Sequence, residues 1–367
     1  MNEYSLKELA VILLDCYEGF EYKHKRAILE SYSGREDAMF SDFSAAEEYA
    51  RQFLGDAAAN TLKNSFNPNF AKEVAEKLNK KGVVAVTCLS CGYPSELLNY
   101  PLNPLVLYAK GNLRLLSERK RFSIVGSRKT LPFVLRTTEK ISKTLVENGY
   151  VIVTGSAVGG DRSAITGAID SGRVISVLAN GTDYVYPESN RTLVEKVARN
   201  GLVISEYPPE TPSAPWRFPM RNRIIAALGD ALLVASGSMT SGTRHTAKFA
   251  EAYSKRIYAF PYSIGEKSGE ICNLLIKLDK ARLIENEEDV ALSEGFVIKQ
   301  NEMDLTDDEK IIIAAMDGET SPDKIAEITG KKIFEIMPVL SMLEIKGAVS
   351  KGAGNTYSAL IKLNLGE

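Results

Sequence analysis

The chain has 367 residues, which is more than one compact domain usually holds, so its length predicts two or three domains. The formal net charge is -2, which argues against binding of nucleic acid by whole-protein charge and leaves only a local basic pocket. The first residues do not resemble a secretory signal, and no apolar run approaches the roughly 20 residues that span a bilayer. We therefore expect a cytoplasmic protein without membrane insertion or disulfides.

Residues 1–80 are predicted to form a helical (SAM-like) module. Leu6, Leu9 and Leu13 follow the spacing of one helix face, and glycines such as Gly34 and Gly55 separate the helical segments. Such a module packs against the next domain or binds DNA or a partner, and the sequence leaves these alternatives open.

Residues 82–290 alternate strand-like and helix-like segments. The predicted strands are short, β-branched and continuously apolar, as parallel strands covered on both faces are. We expect an α/β fold with an extended Rossmann-like, doubly wound, mostly parallel sheet. The predicted strands are Val83–Thr87, Phe122–Val125, Val151–Thr154, Val174–Leu178, Val203–Ser205, Ala231–Ala235 and Ile257–Phe260, with helices at Pro132–Asn148 and Asn190–Asn200 among them.

A polar linker is predicted at 292–305, followed by a winged-helix domain at 306–367. Thr306 and Glu309 have the spacing of a capping box, and Ser321-Pro322 has the N-cap and N1 residues of a second helix. A third helix is predicted at 333–345, where Pro338 should cause a kink or mark a late start. Two short strands, 348–350 and 356–359, flank a glycine-rich hairpin turn at 352–355.

The four cysteines include one C-x-x-C pair, Cys88 and Cys91. A zinc site needs about four ligands, and the sequence offers no second pair and only two histidines. We therefore predict two buried small side chains, with no metal and no cofactor.

Three glycine-rich loops follow three predicted strands, at the edge where open α/β sheets form their binding crevice. Glycine lets backbone amides approach an anion, Arg128 adds a planar cation suited to phosphate, and Asp161 is predicted to cap the next helix. No Walker ending and no clean G-x-G-x-x-G is present, so nucleotide hydrolysis and dinucleotide binding are not favoured. The candidate residues in these loops are Gly126, Ser127, Arg128, Gly155, Ser156, Gly159, Asp161 and Gly181.

A fourth segment, residues 216–226, places three arginines among two aromatic residues before a helix. Arginine binds phosphates and aromatic faces stack bases regardless of sequence, so this segment is suited to nucleic acid. The alternative is that it has no binding role, with Trp216 and Phe218 in the core and the arginines at the surface. A further Ser-Gly turn could bind phosphate at a helix N-terminus. The candidates from these two segments are Arg217, Phe218, Arg221, Asn222, Arg223, Ser241 and Gly242.

These segments, in this order, resemble the DprA/Smf (DNA-processing protein A) family. The resemblance covers more than half of the chain, and a helical module and a winged helix also commonly flank the central domain in that family. The resembling stretches are IVGSR at 124–128, TGSAVGGD at 154–161, NGTDYVYPESNR at 180–191, ISEYPPETP at 204–212, FPMRNRIIAAL at 218–228, SGTRHTA at 241–247 and CNLLI at 272–276.

The resemblance implies a protein that is not an enzyme, that binds single-stranded DNA and that helps to load the RecA recombinase during natural transformation. It also implies a homodimer formed through the Rossmann-like domain. It assigns Arg128 and Phe218 to the DNA pocket. Some members carry a lysine three residues before this phenylalanine, where this chain has Pro215, and we infer that Arg217 supplies the missing charge.

Two alternatives come from other functional classes. A Rossmann-like enzyme acting on a nucleotide monophosphate, of the phosphoribohydrolase type, would need a glutamate where this chain has Thr246. A winged-helix regulator with a ligand-sensing domain would need a basic recognition helix, but Lys331 and Lys332 are accompanied by Glu335 and Glu344. We therefore favour a partner-binding or regulatory role for the winged helix.

Overall fold

The computed structural model describes residues 4–17, 20–297, 305–352 and 354–360. The chain forms two compact units, a first unit of residues 1–298 and a second unit of residues 299–367. Among the described residues, no helix combines the length and the apolar character that crossing a bilayer requires.

The first unit contains a nine-stranded sheet and its covering helices. The helices are α1 (Leu6–Cys16), α2 (Tyr22–Ser31), α3 (Ser44–Leu54), α4 (Asp56–Ser65), α5 (Pro68–Lys80), α6 (Ser95–Leu98), α7 (Pro132–Glu147), α8 (Gly160–Ala168), α9 (Arg191–Asn200), α10 (Arg217–Leu228), α11 (Thr243–Ala252), α12 (Glu270–Lys277) and α13 (Glu287–Glu294). The strands are β1 (Val84–Thr87), β2 (Val106–Gly111), β3 (Arg121–Val125), β4 (Val151–Thr154), β5 (Val174–Leu178), β6 (Leu202–Ser205), β7 (Ala231–Val234), β8 (Arg256–Ala259) and β9 (Arg282–Leu283).

The sheet has the order β1-β2-β6-β5-β4-β3-β7-β8-β9. Strand β2 is antiparallel to both of its neighbours, and every other pair is parallel. The predicted doubly wound, mostly parallel sheet is therefore confirmed. All seven predicted strands are present within a residue or two of their expected bounds, whereas β2 and the two-residue β9 were not predicted.

Helices cover both faces of the parallel part of the sheet. Phe122 and Ile124 of β3 pack in the same cluster as α7, α8, α9 and α13, while Val125 packs in the cluster that includes α10, α11 and α12. This alternation is the two-residue period of a strand, and it explains why β3 is buried along its whole length.

Helices α1–α5 share one hydrophobic cluster with the first two strands. Ala85 of β1 and Val106 and Tyr108 of β2 are buried against these helices. The Tyr108 hydroxyl donates a hydrogen bond to Asp15 Oδ2 over 2.8 Å. Of the roles that the sequence left open for the amino-terminal helices, the structure shows packing against the next domain, because these helices complete the core beside β1 and β2.

The second unit has the predicted winged-helix pattern of three helices and a hairpin. Its elements are α14 (Asp307–Ala314), α15 (Pro322–Thr329), α16 (Ile333–Ile345), β10 (Val349–Lys351) and β11 (Tyr357–Ala359). The Thr306–Glu309 capping box is present, and Ser321 caps α15. Helix α16 runs through Pro338, so the predicted late start is wrong. In the hairpin turn, Gly354 and Asn355 adopt φ values of +71° and +62°, while residue 353 lies outside the described residues.

The segment predicted as a linker, 292–305, is only partly described. Helix α13 is capped at its start by Asn286 and extends to Glu294, inside this range. It ends there because Gly295 adopts the left-handed conformation. Residues 298–304 lie outside the described residues.

Candidate nucleic-acid interface

Strands β3 and β7 lie side by side at the point where the strand order reverses. Open α/β sheets form their binding crevice here, outside the carboxyl ends of the strands. The loops after the two strands are joined by hydrogen bonds. The Ser127 amide donates to Ser236 Oγ over 2.8 Å, and the hydroxyls of Thr130 and Ser236 lie 2.6 Å apart. Sequence reasoning missed Thr130 and Ser236, although Ser236 stands directly after the predicted strand 231–235.

Three side chains from two loops and the first turn of α10 form what we call the Arg128 cluster, namely Arg128, Tyr186 and Phe218. The Arg128 guanidinium lies 5.7 Å from the Tyr186 ring centre and 6.0 Å from the Phe218 ring centre. The two rings are 5.5 Å apart and inclined at 59°. Arg128 is exposed and forms no salt bridge within the described part of the chain. The structure thus unites the predicted Arg128 and Phe218 and adds Tyr186, which was not among the candidates.

The candidate glycines in the loops after β3, β4 and β5 are required by contacts within the protein. A Cβ atom on Gly126 would lie 2.7 Å from the Cα of Gly160, and one on Gly181 would lie 2.1 Å from the Pro209 carbonyl oxygen. Gly159 has a φ of +95°, and a Cβ atom there would lie 2.2 Å from the backbone carbonyl oxygen of Ser127. Close packing of loops is therefore sufficient to require glycine at these positions, and the predicted approach of phosphate to their backbone stays a prediction.

Asp161 does not cap α8, contrary to the prediction. Gly159 holds the N-cap position, and the buried Asp161 carboxylate accepts hydrogen bonds from the amides of Gly126 over 3.2 Å and Ala157 over 3.4 Å. Burial raises the pKa of Asp161, and the nearby Arg221 opposes this rise. Ser156 is also buried, and its carbonyl accepts a hydrogen bond from Asn190. Asp161 and Ser156 thus hold loops together and are not presented to a ligand.

Two of the arginines predicted to bind phosphate lie inside the protein. Arg223 forms a salt bridge of 2.5 Å with Glu206, and both side chains are largely buried. Arg221 donates to the Val177 carbonyl and to Asn222 Oδ1, and burial lowers the pKa of its guanidinium. Protein carboxylates oppose both charges, although the buried Arg223 Nε has no hydrogen-bond partner among the described residues, and the structure therefore does not support the predicted phosphate contacts.

The remaining candidates lie around the starts of α10 and α11, where Arg217, Ser241 and Gly242 reach the surface and Asn222 is buried. Arg217 is half-buried, and Trp216 beside it is 60% exposed, so Trp216 is not a core residue. Asn222 donates to the carbonyl of Gly242 over 3.1 Å, which joins α10 to the N-cap of α11. Gly242 is exposed and Ser241 is half-exposed, and the Ser241 hydroxyl lies 2.9 Å from that of Thr243.

The described residues contain no group of three or more histidine, cysteine or acidic side chains placed to hold a metal ion. Cys88 is partly buried, but Cys91 is exposed, which corrects the prediction of two buried cysteines. Thr246, at the position where a phosphoribohydrolase would have its glutamate, is buried.

The fold and the site together define a Rossmann-like α/β protein with a winged-helix unit and a cation–aromatic cluster at the carboxyl edge of its sheet. The family model described as DNA recombination-mediator protein A matches residues 69–294, and that of the DprA winged helix domain matches residues 299–355. The chain belongs to the DprA/Smf (DNA-processing protein A) family.

Individual relatives agree with this assignment. Protein Smf from Synechocystis sp. is 31% identical over 337 residues, covering 80% of this chain and 84% of the relative. DNA processing protein DprA from Bacillus subtilis is 34% identical over 209 residues, covering 56% and 70%. The X-ray structure of DNA processing protein A from Streptococcus pneumoniae superposes with a TM-score of 0.67 at 28% identity, covering 80% of this chain and 99% of that one. The Helicobacter pylori protein, whose structure was described for its single-stranded DNA binding mode, gives a TM-score of 0.53 at 26% identity, covering 59% and 97%.

Proposed function

We propose that the protein binds single-stranded DNA at the carboxyl edge of its sheet and mediates recombination in DNA uptake without a catalytic step of its own. The observation that carries this proposal is the Arg128 cluster, an exposed cation without a salt bridge to any described residue, placed against two aromatic rings. Membership of the DprA/Smf family and the single-stranded DNA binding of the Helicobacter pylori relative support it.

The chemistry of the cluster favours single strands over duplex. An unpaired base stacks on an aromatic face such as that of Tyr186 or Phe218, whereas bases in a duplex are already stacked on one another. The Arg128 guanidinium is suited to a phosphate of the same strand. Tyr186 is 42% exposed, so part of its side chain is accessible to a base.

The test compares Arg128→Ala with a matched loss of charge elsewhere. Arg199 is exposed in the last turn of α9, just before β6 begins and therefore at the opposite edge of the sheet. Binding of a labelled single-stranded oligonucleotide and of the same sequence as duplex is measured by fluorescence anisotropy at several salt concentrations. We expect preference for the single strand, with a salt slope lowered by about 0.7 in Arg128→Ala and unchanged in Arg199→Ala.

Two results would contradict the proposal. Equal affinity for single strand and duplex would remove the basis for stacking. An identical salt slope in wild type, Arg128→Ala and Arg199→Ala would show that Arg128 contacts no phosphate.

The wider role follows from the family and is part of the same proposal. We propose that the protein forms a homodimer, works in the cytoplasm and helps to load the RecA recombinase onto the bound strand. The measurement is recombinase assembly on single-stranded DNA in the presence of Arg128→Ala, which we expect to be slower than with wild type. Light scattering of the purified chain tests the dimer.

We further propose that the winged-helix unit binds a protein partner. The Lys331 ammonium forms a salt bridge of 2.7 Å with Asp308, so one of the positive charges near the start of α16 is already neutralised. Phe334 and Ile345 of α16 are 70% and 80% exposed. The Lys332 ammonium lies 5.7 Å from the Phe334 ring centre, so one cation accompanies these apolar side chains. Large exposed apolar side chains with few cations fit a protein surface better than a DNA groove. Sequence-specific duplex binding that is lost on Phe334→Ala would contradict this proposal.

A further inference from the structure

A second group of aromatic and cationic side chains lies beside the Arg128 cluster, and we call it the Trp216 platform. It consists of Trp216, Tyr207 and Arg217. The indole of Trp216 and the ring of Tyr207 are 6.3 Å apart and nearly perpendicular, at 88°. The Arg217 guanidinium lies 4.6 Å from the Tyr207 ring centre and 5.0 Å from the Trp216 ring centre. Trp216 is the only tryptophan of the chain and is 60% exposed.

The platform and the Arg128 cluster lie on two sides of the start of α10. Trp216 is the N-cap residue and already has helical backbone angles, and Phe218 is the second residue of the helix. Residues two apart on a helix are turned by about 200° from each other. Trp216 accordingly contacts Tyr207 in the loop after β6, while Phe218 contacts Tyr186 in the loop after β5. The residue between them is Arg217.

The polar groups of Arg217 are only partly satisfied. Its Nη1 donates to the Pro212 carbonyl, but its Nε atom is buried and has no hydrogen-bond partner among the described residues. No described carboxylate forms a salt bridge with it. An anion bound here would neutralise the positive charge of Arg217, which no described carboxylate does. An apolar protein surface on the platform would instead bury this cation without a counter-charge, which is costly.

We propose that the Trp216 platform stacks a second nucleobase of the strand that the Arg128 cluster holds, with Arg217 binding the phosphodiester backbone between the two bases. This inference rests on the proposed function and extends it, because the strand then crosses the start of α10 and occupies two stacking sites. Stacking is tolerant of base identity, so the platform adds affinity for single strands of any sequence.

The test uses Trp216 itself as the reporter. The emission of the full-length protein, excited where tryptophan absorbs, is followed while unlabelled oligothymidylate is added, and anisotropy of a labelled oligothymidylate is measured in parallel. We expect quenching of Trp216 emission with the same midpoint as the anisotropy change, together with protection of the indole from acrylamide.

Substitutions separate stacking from folding. Trp216→Ala should weaken binding by about 5- to 150-fold, as loss of a base–aromatic stack does, and Trp216→Phe should restore most of the affinity. Phe70→Ala removes an exposed aromatic side chain from α5 and should leave affinity unchanged. On very short oligonucleotides that reach only the Arg128 cluster, Trp216→Ala should bind as wild type does.

Each failure has a distinct signature. An anisotropy change without any change in Trp216 emission or acrylamide access would overturn the platform and leave the proposed function intact. No binding of single strands by the wild type would overturn both. Protection of Trp216 that depends on protein concentration, without DNA, would show that a second copy of the chain covers the platform.

Discussion

Asp161 and Arg221 meet beside the backbone of Gly155, inside the loop that follows β4. A Cβ atom on Gly155 would lie 2.3 Å from Asp161 Oδ2 and 2.6 Å from Arg221 Nη2, so the two side chains together fill that space. The carboxylate also accepts hydrogen bonds from two amides, and the guanidinium donates to the carbonyl of Val177 at the end of β5. This buried pair ties the loops after β3 and β4 and the end of β5 to α10, and thereby positions the surface on which Arg128 and Phe218 lie.

Loss of Arg221 should make stability depend more strongly on pH. Burial raises the pKa of Asp161 above its usual 3.8, because the folded protein favours the neutral carboxylic acid over the carboxylate. The stability that the neutral form contributes is present at low pH and is lost as pH rises through the folded-state pKa. Arg221 offsets part of that loss. We expect Arg221→Met to cost about 3 kcal/mol at pH 7 and much less near pH 4. Urea unfolding at the two pH values measures this difference.

The control for that experiment is the double variant Asp161→Asn, Arg221→Met. Because it has neither charge, its stability relative to wild type should change less between pH 4 and pH 7 than that of the single variant. An Arg221→Met deficit that is the same at both pH values would show that packing alone explains the role of Arg221.

The buried salt bridge between Arg223 and Glu206 predicts a large effect of removing one partner. Glu206→Gln leaves the Arg223 cation buried without a carboxylate, which typically costs about 3–5 kcal/mol. Glu188→Gln breaks the exposed pair with Arg191 and should cost no more than about 1 kcal/mol. Urea unfolding followed by circular dichroism compares the two. Similar small losses in both variants would mean that Arg223 is solvated in solution.

Gly181 should not tolerate a side chain, although its φ is not in the left-handed region. A Cβ there would lie 2.1 Å and 2.2 Å from the carbonyl oxygens of Pro209 and Pro208, which are backbone atoms and cannot simply rotate away. We expect Gly181→Ala to lower the free energy of unfolding by about 1–3 kcal/mol. Gly92→Ala is the matched control, because no atom lies within 4 Å of its Cβ position. Equal stability of both variants would contradict the close approach of these loops.

Acid should loosen the winged-helix unit through Glu309. Its side chain accepts hydrogen bonds from Lys346 and from the Thr306 amide, and chiefly the former lowers the pKa of Glu309 below its usual 4.5. The sign follows from linkage: this stability is present above pH 4.5 and is lost as pH falls through the lowered pKa. Hydrogen exchange of peptides from α14 and α16, corrected for intrinsic rates, should show this opening in the full chain.

Glu309→Gln should cost about 1 kcal/mol at neutral pH and abolish most of the acid dependence. Asp307→Asn is the control, because Asp307 is in the same helical turn but its side chain is fully exposed. An acid response in Glu309→Gln equal to that of wild type would assign the effect to another group.

Sequence reasoning recovered the parallel sheet because each buried strand is a short apolar run, and glycine marks the turn after β3, β4 and β5. It missed β2, although Val106–Ala109 is equally apolar, because the α/β pattern leads one to expect a full crossover helix between strands and α6 has only four residues. An antiparallel neighbour needs no such crossover.

The site was harder to predict than the fold. Arginine is almost always at the surface, so nothing in residues 217–223 indicated that Arg221 and Arg223 are buried. Their partners, Asp161 and Glu206, are far away in sequence and are brought near only by the packing of α10 on the sheet. Tyr186 was missed for the same reason, since its contact with Phe218 joins the loop after β5 to the first turn of α10.

The helices α1–α5 bury Ala85, Val106 and Tyr108 of the first two strands, and this has a consequence for how the protein can be shortened. The family match begins at residue 69, one residue after α5 begins, so it omits α1–α4 from that shared core. A fragment cut at the matched boundary would expose this apolar sheet face to water and would tend to aggregate. We therefore expect a fragment of the first unit that folds by itself to include α1–α4, which the family match leaves out.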